Sequence, residues 1–368
     1  MNVDDVRKNL PSLVLISLPA LVVILLAIEV ALRLAGYVPY YLDRQAFMPS
    51  ANENALYTLR PNHRGLYAGV PIQVNSLGFR GAELTNAADA ALRVVILGDS
   101  IAFGQGVNEH ETLSEQLRSR LQASVAGRVL VANLGIPGYD TCQEHIRLSE
   151  QGLPFSPHVV YLLYFENDVD PTPFRVKNGI VYSPDVREGW FGDFMAGARI
   201  HSALYNLVWS RYQTMKSRYF AGKSNYAELV ARKFKVGNPG WERSRACLKA
   251  LLATASDHSI KLVVIPFPVL GGLDANPYPF QGYIEAVCDV VRVAGAECLD
   301  LVSLVRDPAL QLRVSAVETH PSADVYGRMA EHLARTLAAR PAFSKDRNGT
   351  QNSRDKAADR RDRGQPAR

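Results

Sequence analysis

Apolar residues fall into three regimes along the chain. Residues 10–28 run for nineteen positions without a charge, which as a helix at 1.5 Å per residue span about 30 Å, the thickness of a bilayer's hydrocarbon core. Further on, five short, nearly continuous apolar runs rich in β-branched residues, 93–97, 128–134, 158–164, 260–266 and 297–301, have the pattern of strands buried on both faces. Between and after them the apolar period lengthens to that of helices over 111–124, 140–150, 241–256, 282–294 and 322–339, the last with Ser322 placed to cap it after Pro321. This alternation predicts an α/β chain with a flavodoxin-like, doubly wound parallel sheet.

The first regime is read as a transmembrane anchor over 10–34. A cleaved signal peptide would stop shortly after its apolar core, whereas Glu29, Arg33 and Leu34 continue this helix. Glu29 and Arg33 are four apart and can pair on one helix face. Arg7 and Lys8 on the short leading flank place residues 1–9 in the cytoplasm and the rest outside the cell membrane. Residues 35–90 contain the turn signals "RPNHRG" and "NSLGFRG" and are expected to pack as an extended segment on the main domain, 91–340. An insertion over 169–240 interrupts the strand–helix rhythm, and loops of that length are usually lids or small subdomains. Within it, 199–220 reads as a basic amphipathic helix with Ile200, Leu204, Leu207 and Val208 on one side. Such a helix either touches a membrane or anionic glycan, or packs on the sheet with its cations in water. The polar, charged stretch 341–368 is expected to be disordered, and "NGT" at Asn348 fits the N-glycosylation pattern on three residues only.

Composition adds constraints. An apolar share of 47% with 21% charged residues over 368 positions excludes a disordered chain. A net charge of +5, with basic and acidic residues interspersed, does not call for nucleic acid. Cys142, Cys247, Cys288 and Cys298 form no CxxC pattern and have no histidine cluster beside them, so no metal site is expected. Cys288 and Cys298 can pair in an oxidising compartment; buried free thiols are the other reading.

The chemistry follows from where the strands end, because ligands of an open α/β sheet bind at the carboxyl ends of its strands. Ser100 follows the first strand, Gly135 to Gly138 the second, Asn167 the third, and His320 comes after the last. A hydroxyl, a glycine turn with free N–H groups, a side-chain amide and an imidazole are what acyl transfer to or from an ester demands. No cofactor is required. Asp99 is expected to secure the turn by accepting backbone hydrogen bonds.

The stretches that carry these residues, "GDSIAFGQGV", "NLGIPGYDT", "ENDV" and "HPSADVYGRMAEHL", resemble the four signature blocks of the SGNH (GDSL-type) hydrolase superfamily, over about residues 70–337. The resemblance implies that Ser100 is the nucleophile and His320 the general base. It also implies an oxyanion hole of the Ser100 N–H, the Gly138 N–H and the Asn167 side chain. Two positions depart from the family pattern: Phe165 stands where a glycine is common, and Val317 where an aspartate usually orients the histidine. Glu318 can take the orienting role if the backbone follows a different path; a dyad held by a main-chain carbonyl is the other reading.

The expected activity is that of a serine esterase removing a small acyl group, acetyl foremost, from a cell-envelope glycan or lipid through an acyl-serine. An O-acetyltransferase acting on an extracellular polysaccharide, fed by a membrane-bound acyl donor partner, and a non-catalytic glycan-binding protein are the alternatives.

Overall fold

A computed structural model describes residues 3–37, 43–184, 189–221, 226–315 and 318–340. The charged end with Asn348, and Val317, lie outside the described residues. Five parallel strands form the central sheet: β1 (Leu92–Gly98), β2 (Val129–Asn133), β3 (Val159–Tyr164), β4 (Lys261–Pro266) and β5 (Glu297–Cys298), in the order β5-β4-β3-β1-β2. This is the flavodoxin-like order expected from the sequence. In β2 and β3 every residue is buried, and since neighbouring side chains point to opposite faces, both faces of the sheet are covered. One cover is the pair of helices Leu113–Ser124 and Ala323–Ala338; another is built from Thr141–Arg147, Pro239–Asp257 and Gln281–Val293.

Element ends differ from the sequence reading for local reasons. The last strand stops at Cys298 instead of 301, because Asp300 turns its carboxylate back to cap the Val302 N–H at 2.8 Å and starts a short helix, Val302–Val305. The helix expected over 140–150 is regular only over Thr141–Arg147 and continues as a wider turn, Leu148–Gly152. Asp140 caps its start, accepting from the Cys142 and Gln143 N–H groups.

Residues 43–81 build a second apolar cluster beside the sheet. Two hairpins, Phe47–Pro49 with Tyr57–Leu59 and Arg64–Tyr67 with Val70–Gln73, pack Phe47, Tyr57 and Tyr67 against Phe103, Ile136, Tyr139 and Phe174. Phe103 and Ile136 come from the turns that follow β1 and β2, so this cluster supports the edge on which the site lies.

The insertion forms helices Trp190–His201, Ala203–Ala221 and Tyr226–Lys233. The single helix expected over 199–220 is therefore broken at Ser202. The break is made by Glu29 of the N-terminal helix Val3–Leu34, whose carboxylate accepts from the Ala203 and Leu204 N–H groups, both at 2.9 Å, and from the Ser202 hydroxyl at 3.0 Å. A carboxylate there satisfies orphan donors of the new helix. Arg33 pairs with Glu29 at 2.7 Å and also donates to the His201 carbonyl. The segment thus packs on the N-terminal helix, a partner outside the two readings. Ser17–Leu34 is long and apolar enough to cross a membrane, and none of its residues is fully buried.

All four cysteines are paired, Cys288 with Cys298 and Cys142 with Cys247. The second bond ties Thr141–Arg147 to Pro239–Asp257 and has no counterpart in the sequence reading.

Candidate active site

Strand order creates the cleft. At the junction of β1 and β3 the sheet reverses its direction of growth, so the following turns diverge and leave a crevice at the carboxyl edge. Ser100 follows β1 and Asn167 follows β3. Both line a cleft of about 620 Å³ together with Gly138 and His320. Four residues spread over more than two hundred positions are thereby brought to one place.

Ser100 opens the short helix Ser100–Phe103. Asp99 caps it, its carboxylate accepting from the Ile101 N–H at 2.8 Å. The helix ends against Arg80, whose buried guanidinium donates to the carbonyls of Phe103 (3.0 Å), Gly104 (2.5 Å) and Val107 (2.6 Å) and lies over the Phe103 ring. The serine turn is therefore pinned at both ends. Nothing in the sequence singles out Arg80 for this, since an arginine in a turn-rich stretch gives no sign of being buried.

The His320 imidazole bridges two groups. Its Nε2 lies 2.8 Å from Ser100 Oγ, and its Nδ1 is in contact with the Glu318 carboxylate, which also accepts from the His320 backbone N–H at 3.1 Å. The backbone path that allows this is a hairpin. Arg313 and Pro321 form an antiparallel bridge, the Val314 N–H bonds to the His320 carbonyl at 3.0 Å, and the Ser315 N–H to the Glu318 carbonyl at 3.0 Å. This turn returns a buried glutamate side chain to the ring two residues on. A second residue, Gln105, donates to the same carboxylate at 3.3 Å. A carboxylate, not a main-chain carbonyl, faces Nδ1.

Three residues with hydrogen-bond donors line the cleft together with His320. The N–H groups of Ser100 and Gly138 have no acceptor among the described residues. Gly138 has φ of +80°, and a Cβ there would meet the Phe174 ring at 2.6 Å, so the backbone can turn here only with glycine. Asn167 uses one of its amide hydrogens on Asp99 at 3.2 Å, which aims the amide and leaves the other hydrogen available. The loop carrying Asn167 is fixed from the insertion: Lys233 donates to Glu166 at 2.9 Å and to Asp170 at 2.6 Å, and the Tyr226 hydroxyl donates to Glu166. Phe165, in place of the family's glycine, lines the cleft and packs edge-on to Phe267.

Beneath this layer lies a set of buried acids. Burial raises the pKa of Asp99, against the Ile101 N–H and the His320 charge, which lower it. Burial raises Glu144 and Asp168 well above the carboxyl range, and each is pushed further by neighbouring acids. Among the described residues no three His, Cys, Asp or Glu side chains are grouped to hold a metal ion.

An imidazole with one nitrogen at a hydroxyl and the other at a carboxylate can take the hydroxyl proton, and three N–H donors across a cleft can receive a negative oxygen. The GDSL-like Lipase/Acylhydrolase family matches residues 96–328. Solved structures to which the chain is similar include a putative lipolytic protein of the G-D-S-L family from Desulfitobacterium hafniense DCB-2, 17% identical, covering 67% of this chain and 99% of that one with a TM-score of 0.39. The lipase/acylhydrolase from Enterococcus faecalis is 16% identical over 67% and 95% of the two chains, TM-score 0.39. An acetylxylan esterase from Geobacillus stearothermophilus is 17% identical over 68% and 93%, TM-score 0.39. No curated protein sequence matches. From the residues matched, more than half of its length, the chain belongs to the GDSL-like lipase/acylhydrolase family and is a hydrolase of the esterase type.

Proposed function

We propose that this protein is a membrane-anchored serine esterase that hydrolyses a small acyl ester, acetyl foremost, on a cell-envelope glycan or lipid, with Ser100 as nucleophile and His320 as base. The observation that carries the reading is the continuous contact from Glu318 through His320 to Ser100 Oγ, at 2.8 Å for its reacting end. With its Nδ1–H donating to Glu318, the imidazole presents a bare Nε2 to the serine hydroxyl. As Ser100 Oγ bonds to the ester carbonyl carbon, its proton passes to Nε2. The carbonyl oxygen becomes negative between the Ser100 and Gly138 N–H groups and the Asn167 amide. His320 then gives the proton to the leaving alcohol as the ester C–O bond breaks, and an acyl-serine remains. Water, deprotonated by the same nitrogen, releases the acid and restores the serine.

The departures that favour a non-catalytic reading, Phe165 and Val317, leave Ser100, His320 and Glu318 in contact. The unburied apolar window Ser17–Leu34 supports the anchor. Two disulfides with no free thiol support a catalytic domain on the oxidising, extracytoplasmic side. Full-length protein in detergent should hydrolyse p-nitrophenyl acetate and take up a fluorophosphonate on the peptide containing Ser100. Equal turnover by Ser100→Ala removes the proposal.

A further inference from the structure

The cleft is walled by apolar side chains, Phe165, Phe174, Tyr226, Phe267, Leu270 and Phe280 among them, and its lining contains no aspartate or glutamate. Among its lining residues one carries a permanent charge, Arg313, whose side chain is exposed. Arg313 belongs to the hairpin that holds the catalytic imidazole: it pairs with Pro321 across the antiparallel bridge, one residue past His320. Its side chain reaches to the loop after β4, so close to Gly271 that a Cβ there would meet its Nη2 at 2.8 Å. Neighbouring arginines are committed elsewhere: Arg328 pairs with Asp307 at 2.7 Å, and Arg306 donates to the Ala275 carbonyl and lies over the Tyr278 ring. Arg313 makes no ion pair and no side-chain hydrogen bond among the described residues.

An exposed guanidinium with an unused fork of donors, beside an apolar-lined cleft, matches a planar or tetrahedral oxyanion group and nothing neutral as well. Its side of the cleft is also informative. His320 must protonate the departing oxygen, so the alcohol portion of the ester lies on the imidazole's side, the side of the hairpin that carries Arg313. We propose that Arg313 is a specificity residue that binds a carboxylate or phosphate on the alcohol portion of the substrate, so that the ester this protein hydrolyses is anionic. The inference rests on the esterase reading and narrows its substrate class.

The test compares three aryl acetates on the full-length protein in detergent at low salt: 4-acetoxybenzoate, 4-acetoxyphenyl phosphate and the neutral methyl 4-acetoxybenzoate. Arg313→Gln should lower kcat/KM for at least one of the anions tenfold or more, through KM, and change the neutral ester less than twofold. Whichever anion responds identifies the group as carboxylate or phosphate. Arg313→Lys should restore part of the loss, and 0.5 M sodium chloride should shrink the wild-type preference, as expected for a partly exposed charge. Equal effects on anionic and neutral esters, or no effect on either anion, overturn the proposal. Should no ester be turned over, the esterase reading fails, and calorimetric binding to Ser100→Ala still decides this one. There the anions should bind at least tenfold more tightly than the neutral ester, and the added Arg313→Gln should erase the difference; equal affinities in Ser100→Ala overturn it.

Discussion

Glu318 lies two residues before His320 and reaches back to hold both the ring Nδ1 and the backbone N–H of that histidine. One carboxylate oxygen thus fixes the imidazole's rotation and its position along the chain together. Glu318→Gln keeps the shape but can donate to Nδ1, which favours the wrong tautomer. We expect kcat for p-nitrophenyl acetate to fall by about 10²- to 10⁴-fold with the melting temperature little changed, the range expected for losing an orienting carboxylate. Steady-state kinetics on the variant checks it; a loss under threefold would mean the ring is held by something else.

Asn167 offers its free amide hydrogen to the cleft while the other is spent on Asp99. Asn167→Ala should cost about 10²- to 10³-fold in kcat, near 3–4 kcal/mol of transition-state stabilisation, with KM nearly constant. The fold should survive, because the side chain gives up one hydrogen bond, to Asp99, whose carboxylate keeps the Ile101 N–H. A variant that loses KM instead of kcat would place Asn167 in ground-state binding.

Lys233 joins the insertion to the Asn167 loop through Glu166 and Asp170. Lys233→Met leaves the buried Glu166 carboxylate only the Tyr226 hydroxyl, and we expect kcat to fall about tenfold as the amide loses its aim. Lys233→Arg should recover most of it, since a guanidinium can span both acids. If fluorophosphonate labelling and kcat are both unchanged in Lys233→Met, the clamp has no part in positioning the donor.

Glu144 is buried with neither carboxyl oxygen hydrogen-bonded, and burial, aided by Asp99 and Asp140, raises its pKa well above the ordinary 4.5. The folded protein therefore keeps a proton that the unfolded chain gives up above about that value. Proton uptake on folding makes stability fall as pH rises from near 4.5 towards the raised pKa. Glu144→Gln removes the titration at nearly constant shape, so its gain in melting temperature should be larger at pH 8 than at pH 5. Thermal melts at the two values check the sign; a gain no larger at pH 8 contradicts it.

The Cys142–Cys247 bond closes a span of 105 residues. Replacing both cysteines by serine should cost about 2–5 kcal/mol and lower the melting temperature by roughly 5–15 °C. A scanning fluorimetry shift within a degree would show that the helices it joins are held without it.

Much of the fold is legible because burial on both faces of a parallel sheet leaves a local imprint: β1, β3 and β4 show up as nearly continuous apolar runs. The positions of Ser100, Gly138 and Asn167 just after such runs are readable for the same reason, whereas His320 lies well beyond the last strand and is readable only from the stretch that carries it. Glu318 is readable only as an acid near the histidine, because its reach depends on the hairpin from Arg313 to Pro321, a pairing with no local signature. The break at Ser202 is illegible because the group that makes it, Glu29, comes from the N-terminal helix. The burial of Arg80, Glu144 and Asp168 is hidden likewise, since a charged residue in a polar stretch reads as solvated until the neighbours are known. β5 is read from the sequence at its start, Glu297, but not at its end, because the turn that Asp300 caps follows without a break in the apolar pattern.

Gly135 lies so close to the serine turn that a Cβ there would sit 2.2 Å from the Phe103 nitrogen. No side chain fits between the two segments, so the ground beneath Ser100 and the ground leading to Gly138 are fused into one unalterable bank. On the stretch from Phe267 to Gly271 the one such close approach, at Gly271, is to the end of the Arg313 side chain and not to backbone, so it can give way. New preferences among esters would therefore have to be written on that side, leaving the reacting groups where they stand.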